Sequence, residues 1–224
     1  FIADQIMVVN ITTGNSTLLD EFNQTLNIST VGANGMDAGT APTSGFLSIY
    51  AIWDSTSLTA ALLATTSAQT TFYTGGSMPA GFDASALISI WPTDGSALLQ
   101  PAQIIDREFY YALTSGEFSL LINVLNNGNA TSPTGISLSG LVPFVARAVR
   151  GGFLCRETDT VTSGSEACFS PINADDRQIA LLASNVGGYV QSQNTLPLVV
   201  SQTIYYFVVS STMQASLNVL GYQL

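Results

Sequence analysis

The stretch Phe46-Leu47-Ser48-Ile49-Tyr50-Ala51-Ile52-Trp53 is a run of aromatic and branched side chains, closed by the polar cluster Asp54-Ser55-Thr56-Ser57. Successive side chains of a β-strand point to opposite faces, so the odd-numbered residues from Leu47 to Trp53 would share one apolar face. The even-numbered residues from Phe46 to Ile52 are nearly as apolar. We therefore predict a central strand that is covered on both sides.

Shorter runs of the same kind follow along the chain, each ended by Pro, Gly, Asp, Asn or Ser. In the segment from Gly45 to Arg107 they are Ala60–Ala64 and Ala86–Trp91. Elsewhere, strands are predicted at Ile6–Ile11, Ile104–Leu113, Glu117–Leu125, Gly135–Val149, Thr203–Ser210 and Ala215–Gln223, with a turn at Asn126–Asn129. Strands or turns at about ten-residue spacing are typical of sandwiches and barrels.

These patterns predict an all-β protein, an antiparallel β-sandwich of jelly-roll-like type with no substantial helix. A chain of 224 residues is long enough for one substantial core. We therefore expect a single domain over residues 1–224, in which residues 1–34 form an N-terminal hairpin or arm.

The composition is apolar and poorly charged, at 46% hydrophobic and 9% charged residues. Ordinary soluble domains have about 25% charged residues, so part of the apolar surface is expected to be buried in an assembly, and we predict a homo-oligomer. Membrane insertion is not expected, because no stretch approaches the roughly 20 consecutive apolar residues that a helical span needs.

The charge balance is strongly acidic. Fifteen Asp and Glu residues stand against five Arg and no Lys, which gives a net charge of −10. Nucleic-acid binding depends on clustered Lys and Arg, so it is not expected.

The chain contains no His and no Lys, which limits its chemistry. Their absence removes Ser-His-Asp and Cys-His catalysis, His-ligated metals and Schiff-base lysines. Paired carboxylates, as in glycoside hydrolases, remain. The candidate pairs are Asp106 with Glu108, Glu157 with Asp159, and Asp175 with Asp176. Because acids in loops and at strand ends are usually solvated surface groups, we expect no enzyme and assign no catalytic residue.

Cofactor and metal sites are likewise not expected. The two cysteines lack the histidines of a usual zinc site. Oxygen ligands near Asn173, Asp175 and Asp176 could bind Ca²⁺, but their spacing does not fit an EF-hand.

The two cysteines, Cys155 and Cys168, flank a polar segment. They could face each other across a hairpin and form a disulfide, or remain two reduced buried thiols. Both readings stay open, with the disulfide slightly favoured.

Five aromatic residues are candidates for a sugar-stacking platform or an interface: Trp53, Trp91, Tyr110, Tyr205 and Tyr206. For the two tryptophans, at the ends of apolar strands, packing in the core or in a subunit interface is the favoured interpretation. Asn-x-Ser/Thr triplets begin at Asn10, Asn15, Asn23, Asn27 and Asn129, and a chain this rich in Asn, Ser and Thr also produces such triplets by chance.

The middle of the chain resembles a segment of bacteriophage tail-fibre and related virion surface proteins. The resemblance is carried by Trp53-Asp54, Ala61-Leu62-Leu63, Met78-Pro79-Ala80-Gly81-Phe82 and Trp91-Pro92-Thr93-Asp94-Gly95-Ser96, in that order. Thr203–Val209 and Val219–Leu224 resemble the closing strands of the same proteins. The segment after Arg150 that carries the cysteines departs from the pattern.

This resemblance implies a structural or adhesive virion component, namely a tail-fibre or tail-tip protein that contributes to host attachment. Such appendages are commonly homotrimers, and their partners are other virion proteins and a host surface glycan or protein. The receptor-binding residues are not assigned by the sequence. A capsid decoration or head-fibre protein is the alternative, and a glycan-degrading tailspike module and a secreted adhesin are less favoured.

Overall fold

The computed structural model describes residues 1–67, 70–112, 122–159, 165–183 and 187–224. These residues form sixteen strands and no helix, arranged in several antiparallel sheets consistent with a β-sandwich. The prediction of an all-β antiparallel fold is therefore confirmed. The chain divides into two compact units, Phe1–Gln100 and Pro101–Leu224, called here unit 1 and unit 2.

Unit 1 is built on one six-stranded sheet. Its strands are β1 (Ile2–Val9), β2 (Ser16–Asn23), β3 (Gly35–Met36), β4 (Phe46–Asp54), β5 (Thr59–Thr65) and β6 (Ala84–Pro92). Their order across the sheet is β2-β1-β6-β4-β5-β3, and all neighbours are antiparallel except β3 and β5. Strands β1 and β2 form a hairpin within residues 1–34, and β1 joins the sheet at the pair Val9–Ser85.

Strand β4 is central and has a buried cluster on each face, as predicted. One cluster contains Val8, Leu19, Phe22, Met36, Leu47, Ile49, Ala51, Leu62, Ala64 and Ala84. The other contains Tyr50, Ile52, Ala61, Leu63 and Tyr73, and the loop before β6 covers it with Met78 and Phe82. The alternation of β4 along its length thus supplies both layers, because neighbouring side chains point to opposite faces.

Unit 2 contains two sheets. Its strands are β7 (Ala102–Ile105), β8 (Glu108–Tyr111), β9 (Ile122–Gly128), β10 (Thr134–Ser137), β11 (Ala148–Glu157), β12 (Glu166–Ser170), β13 (Ile179–Leu182), β14 (Tyr189–Pro197), β15 (Thr203–Val208) and β16 (Met213–Gln223). One sheet has the order β10-β15-β12-β13. The other has the order β14-β11-β16-β8-β7, with β9 also paired to β16.

Aromatic side chains hold the core of unit 2 together. Phe153 of β11 and Phe169 of β12 are fully buried, and their rings meet edge to face at 4.9 Å between centroids. Phe109 stacks on Tyr222 at 4.6 Å, almost parallel. Because β11 and β12 belong to different sheets, the phenylalanine pair joins the two layers. Burial of such rings is a large apolar contribution to stability.

The predicted strand Ile104–Leu113 is wrong in its middle, because the chain turns back there. Asp106 and Arg107 connect β7 to β8, and β7 pairs with β8 from Ala102–Tyr111 to Ile105–Glu108. Asp106 has a positive φ of 56°, which suits the twist of a two-residue hairpin turn. Residue 113 of the prediction lies outside the described residues.

The predicted turn Asn126–Asn129 is also wrong, since β9 continues through Gly128. Asn127 takes a left-handed φ of 53°, and the register of β9 against β16 shifts nearby. The residues that favour turns here make an irregular strand instead, as in a β-bulge. Residues 117–121 of the strand predicted before this turn lie outside the described residues.

The predicted strand Gly135–Val149 is interrupted between β10 and β11. Pro143 lies in a loop of successive turns, in which Val142 N–H donates to the Leu138 carbonyl at 3.0 Å and Ala146 N–H to the Pro143 carbonyl at 3.0 Å. Gly140 has a positive φ of 87°. Proline cannot donate to a sheet ladder, so the apolar residues around it form a loop.

The single-domain prediction stays a prediction. Two compact units can unfold together or separately, and cooperative unfolding is a property that equilibrium measurements test. Among the described residues, no helix has the length and apolar character needed to cross a membrane.

Candidate binding site

The carboxylate pair Asp106 and Glu108 does not share a strand face, because Asp106 lies in the hairpin turn. Glu108 is half-buried in β8, accepts a hydrogen bond from the Tyr110 hydroxyl and lies 4.0 Å from Arg150. The hydrogen bond from Tyr110 to Glu108 is the largest cause of the raised pKa of Tyr110. Arg150 also lies over the Tyr110 ring at 5.2 Å. Glu108, Tyr110 and Arg150 therefore form a cluster in which the Glu108 carboxylate already has a hydrogen-bond donor and an ion-pair partner.

In each of the other two carboxylate pairs, at least one member is engaged with its own chain. Glu157 is fully buried, and its Oε1 accepts hydrogen bonds from the backbone N–H groups of Thr158 at 3.1 Å and Asp159 at 3.3 Å. Burial opposes ionisation of Glu157, but hydrogen bonds from the Thr212 and Ser165 side chains, together with those from the two N–H groups, outweigh it and lower the pKa of Glu157. Asp175 accepts from Arg177 at 3.3 Å, and Arg177 also pairs with Glu166.

Both cysteines are buried free thiols in the structure. Cys155 lies on β11 between Val190 and Ala215, whereas Cys168 lies on β12 between Ala180 and Phe207. The two strands belong to different sheets, so the hairpin geometry expected for a disulfide is not present. Burial raises the pKa of Cys155 to about 11 and that of Cys168 to about 12. The disulfide itself stays a prediction, which thiol titration of the unfolded, non-reduced chain decides.

All five aromatic candidates are buried or half-buried. Trp91 packs on the unit 1 core, meets Phe1 edge to face at 5.7 Å and donates from Nε1 to the Gln100 carbonyl at 2.7 Å. Tyr206 is buried, and Tyr205 is half-buried on the same strand, β15. Tyr110 belongs to the Glu108 cluster described above.

Trp53 packs on the same core as Trp91, as predicted, and it also lines a cavity. The cavity has a volume of about 270 Å³ and lies between β2 and the end of the β4–β5 hairpin. Its lining is formed by Leu18, Leu19, Asp20, Glu21, Phe22, Asn23, Gln24, Trp53, Leu58 and Ala60. Trp53 is half-buried, whereas Leu58 is 70% exposed. We name this region the Trp53 cavity.

The turn beside Trp53 is held by two aspartates. Asp54 Oδ1 accepts from the N–H groups of Thr56 at 2.8 Å and Ser57 at 3.1 Å, and Oδ2 accepts from the Ser57 hydroxyl at 2.7 Å. The Ser57 hydroxyl is the largest cause of the lowered pKa of Asp54. Asp83 accepts from the Ser55 hydroxyl at 2.6 Å, and its N–H donates to the Trp53 carbonyl at 2.9 Å. Trp53 therefore stands on a braced end of two central strands.

The sequence points to two parts of this site, Trp53 and the strand that carries it, but not to the third part, strand β2. Trp53 and its strand were identified as a candidate, but the contribution of β2 could not be read from spacing. The polar residues of β2 come close to Trp53 only because the β1–β2 hairpin packs its buried residues Val8, Leu19 and Phe22 on the face that carries Leu47 and Ile49.

A second surface of interest consists of two neighbouring loops in unit 2. Phe144 is 68% exposed and Val199 is 65% exposed, and the exposed residues Val145 and Val200 lie beside them in the chain. The Ser201 hydroxyl donates to the Phe144 carbonyl at 2.8 Å, which joins the two loops. We name this surface the apolar loop patch.

Metal ligation finds no support in the part of the chain that the structure describes, where no three His, Cys, Asp or Glu side chains are grouped to hold an ion. No protein-family model matches the chain, and no curated protein matches it in sequence.

Proposed function

We propose that this chain is a structural and adhesive component of a bacteriophage virion, a tail-fibre or tail-tip protein that contributes to host-cell attachment. The proposal carries no enzymatic activity and no cofactor. Its partners are other virion proteins, further copies of the chain in a homotrimer, and a host surface glycan or protein.

The observation that carries the assembly part of this proposal is the apolar loop patch. Four exposed apolar side chains lie on two loops that the Ser201–Phe144 hydrogen bond joins, in a protein with only 9% charged residues. Clustered exposed apolar side chains are typical of interaction sites on soluble proteins. In each candidate carboxylate pair, in contrast, one member (Glu108, Glu157 or Asp175) is engaged with a hydroxyl, backbone N–H groups or an arginine, which supports an assembly and binding role over catalysis.

The adhesive part is supported by the braced end of unit 1. Recognition residues on β-proteins commonly lie in loops and strand ends that a rigid sheet positions. Several copies in one appendage would turn weak individual contacts into useful avidity, because every contact after the first is intramolecular.

Immunogold microscopy on the virions of the source tests the location directly. Gold particles at the tail tip or fibres are the expected result. Label spread over the capsid would instead support the alternative of a decoration or head-fibre protein. Virions without label would contradict any virion role and make a secreted adhesin the leading hypothesis.

The oligomeric state is tested by light scattering on the purified chain and two variants. Phe144→Ser removes the largest exposed ring of the apolar loop patch, and Leu98→Ser removes a comparably exposed side chain, 58% accessible, in unit 1. We expect a trimer that Phe144→Ser weakens and Leu98→Ser leaves unchanged. A monomeric wild-type chain would contradict the assembly part.

A further inference from the structure

We propose that the Trp53 cavity binds one sugar ring of an uncharged glycan. As the ligand class of the attachment role, this inference rests on the proposed function, but the binding itself is a property of unit 1 alone. The argument uses the volume of the cavity, its chemistry and the charge of the unit that contains it.

The cavity matches a sugar ring in size and in surface character. Its volume of about 270 Å³ is near the lower end of the roughly 300–1,000 Å³ of small-molecule sites. Trp53 and Leu58 give it apolar walls, against which the C–H face of a sugar ring can pack. Asp20, Asn23 and Gln24 give it a polar wall.

The polar wall offers both hydrogen-bond acceptors and donors. Carboxylate oxygens accept only, whereas the amides of Asn23 and Gln24 each carry an acceptor oxygen and a donor NH₂ group. Sugar hydroxyls donate and accept, so they can use every group on this wall. An ammonium ligand can only donate, so it would use the acceptor oxygens of this wall and none of its amide NH₂ groups. The wall therefore favours hydroxyl-rich ligands over cationic peptides.

The side-chain charge of unit 1 disfavours anionic ligands. Unit 1 contains seven acids, Asp4, Asp20, Glu21, Asp37, Asp54, Asp83 and Asp94, and no Arg, Lys or His. Two of these acids, Asp20 and Glu21, line the cavity. A sialic acid, uronic acid or phosphate would meet like charge there without a side-chain cation to offset it. The charge of the cavity therefore favours a neutral glycan over an acidic one.

The site is also largely formed before any ligand arrives. Trp53 lies on central β4, and its turn is fixed by the hydrogen bonds of Asp54 and Asp83. Asp20 is oriented by Gln5, whose Nε2 donates to Asp20 Oδ1 at 3.0 Å across the β1–β2 hairpin. A wall held in place in this way loses little conformational freedom on binding, which favours affinity.

The test uses the complete purified chain and a panel of soluble oligosaccharides of glucose, galactose, mannose and N-acetylglucosamine, with lactose and sialyllactose as a matched neutral and anionic pair. Binding is measured by calorimetry and by tryptophan fluorescence. We expect at least one neutral oligosaccharide to bind, and its acidic counterparts to bind at least about 10-fold more weakly because of Asp20 and Glu21.

Three variants locate the binding. Trp53→Phe keeps an aromatic ring that packs on the core but reduces the stacking surface, so we expect an affinity loss of about 5- to 10-fold. Asn23→Ala removes an exposed amide and should reduce affinity about 3- to 10-fold with the fold intact. Trp91→Phe is the control, because Trp91 does not line the cavity, and should leave affinity unchanged. Thermal unfolding of each variant reports whether it is folded.

Each contrary result overturns the inference. These results are a panel without any neutral ligand, equal binding of the sialylated and neutral sugars, binding of a lysine-rich peptide in place of sugars, or unchanged affinity in both Trp53→Phe and Asn23→Ala. Failure here with gold label at the tail would remove the glycan site and keep the attachment role. Binding of a neutral sugar without gold label on virions would keep the glycan site and remove the virion role.

Discussion

The two units of this protein reach stability by different means. In unit 1, one sheet is covered on both faces, and its seven acids have no side-chain cation to pair with. In unit 2, two sheets meet through aromatic rings, and all five arginines are present. There Arg177 pairs with Glu166 and Asp175 and lies 5.8 Å from the Phe207 ring centroid.

This difference shows that aspartates can brace a fold without salt bridges. In unit 1, Asp54 and Asp83 accept hydrogen bonds from backbone N–H and hydroxyl groups and so fix a turn. Such charge-assisted hydrogen bonds are among the stronger ones in proteins. Since no arginine is needed for this, unit 1 keeps a negative surface around the Trp53 cavity, which disfavours anionic ligands there.

The largest expected effect tests whether the units unfold separately. Phe153→Ala removes a fully buried ring that packs on Phe169 in unit 2, and should lower the free energy of unfolding by about 3–5 kcal/mol. Both tryptophans, Trp53 and Trp91, lie in unit 1, so tryptophan fluorescence reports that unit, whereas amide exchange follows unit 2. Independent units predict an unchanged fluorescence midpoint in urea.

Leu62→Ala is the reciprocal control, because Leu62 is fully buried in unit 1. It should lower the fluorescence midpoint through a loss of about 2–5 kcal/mol and leave exchange in unit 2 unchanged. If either variant moves both transitions together, the chain is one cooperative domain, and the prediction from the sequence is correct.

A smaller effect tests how closely the strands of unit 2 approach. A Cβ at Gly221 would overlap the backbone carbonyl oxygen of Phe109, which cannot rotate away. Gly221→Ala should therefore cost about 1–3 kcal/mol, measured by urea unfolding followed by amide exchange in unit 2. Gly152→Ala is the matched control in the same sheet, because its Cβ would meet only side-chain atoms, at 3.6 and 4.0 Å. Equal costs for the two variants would contradict this account.

The sequence was informative where local alternation and burial agree. Strand β4 was predicted with its two covered faces, because its side chains are apolar at nearly every position and no turn residue interrupts it. The prediction failed where turn chemistry and apolar character conflict. Asp106 and Arg107 form a hairpin turn inside an apolar run, and Asn127 and Gly128 continue a strand that their residue types would end.

The binding site could be predicted only in part, for a topological reason. Trp53 stands at the end of a recognisable strand, but Asp20 and Asn23 are about thirty residues earlier and belong to the hairpin's second strand. Their proximity depends on how that hairpin packs over the sheet, which local patterns do not specify. Likewise, the spacing of Cys155 and Cys168 predicts a hairpin, but β11 pairs with β14 and β16, and β12 pairs with β13 and β15.

A pH-dependent effect of intermediate size is expected in unit 1 from Tyr73. Its hydroxyl donates to Asp37 Oδ2 at 2.9 Å and accepts from the Ser77 N–H at 3.1 Å. Burial first, and the hydrogen bond to Asp37 second, raise the pKa of Tyr73 to about 12. Loss of this hydroxyl in Tyr73→Phe should cost about 1–2 kcal/mol at neutral pH.

The sign of the pH dependence follows from the raised pKa. The folded protein holds the Tyr73 proton more tightly than the unfolded chain, whose tyrosines have a pKa of about 10. The stabilisation is therefore complete below about pH 10 and is lost as the pH rises through about 12. The urea midpoint followed by fluorescence should fall between about pH 9 and about pH 11, and this fall should be larger in the wild type than in Tyr73→Phe. Equal falls would show that Tyr73 does not cause the loss.

The smallest expected effect has the opposite sign, and it concerns the wall of the Trp53 cavity. Glu21 lies inside β2 with a left-handed φ of 52°, between the cross-strand pairs Ala3–Phe22 and Gln5–Asp20. For a residue with a Cβ this conformation costs about 1–2 kcal/mol, and glycine avoids the cost but is itself unfavourable in a strand by about 0.5–1 kcal/mol. Glu21→Gly should therefore stabilise unit 1 by about 0.5–1 kcal/mol in urea unfolding.

The matched control is Asp20→Gly, one position earlier in the same strand, where φ is not positive. It should destabilise unit 1 by about 0.5–1 kcal/mol, because glycine there relieves no strain and Gln5 loses its acceptor. Opposite signs for two neighbouring substitutions would establish that Glu21 is strained. If both destabilise equally, the left-handed backbone at Glu21 costs nothing. Because strain in folded proteins concentrates at binding sites, a stabilising Glu21→Gly would also mark the side of unit 1 on which its ligand is expected.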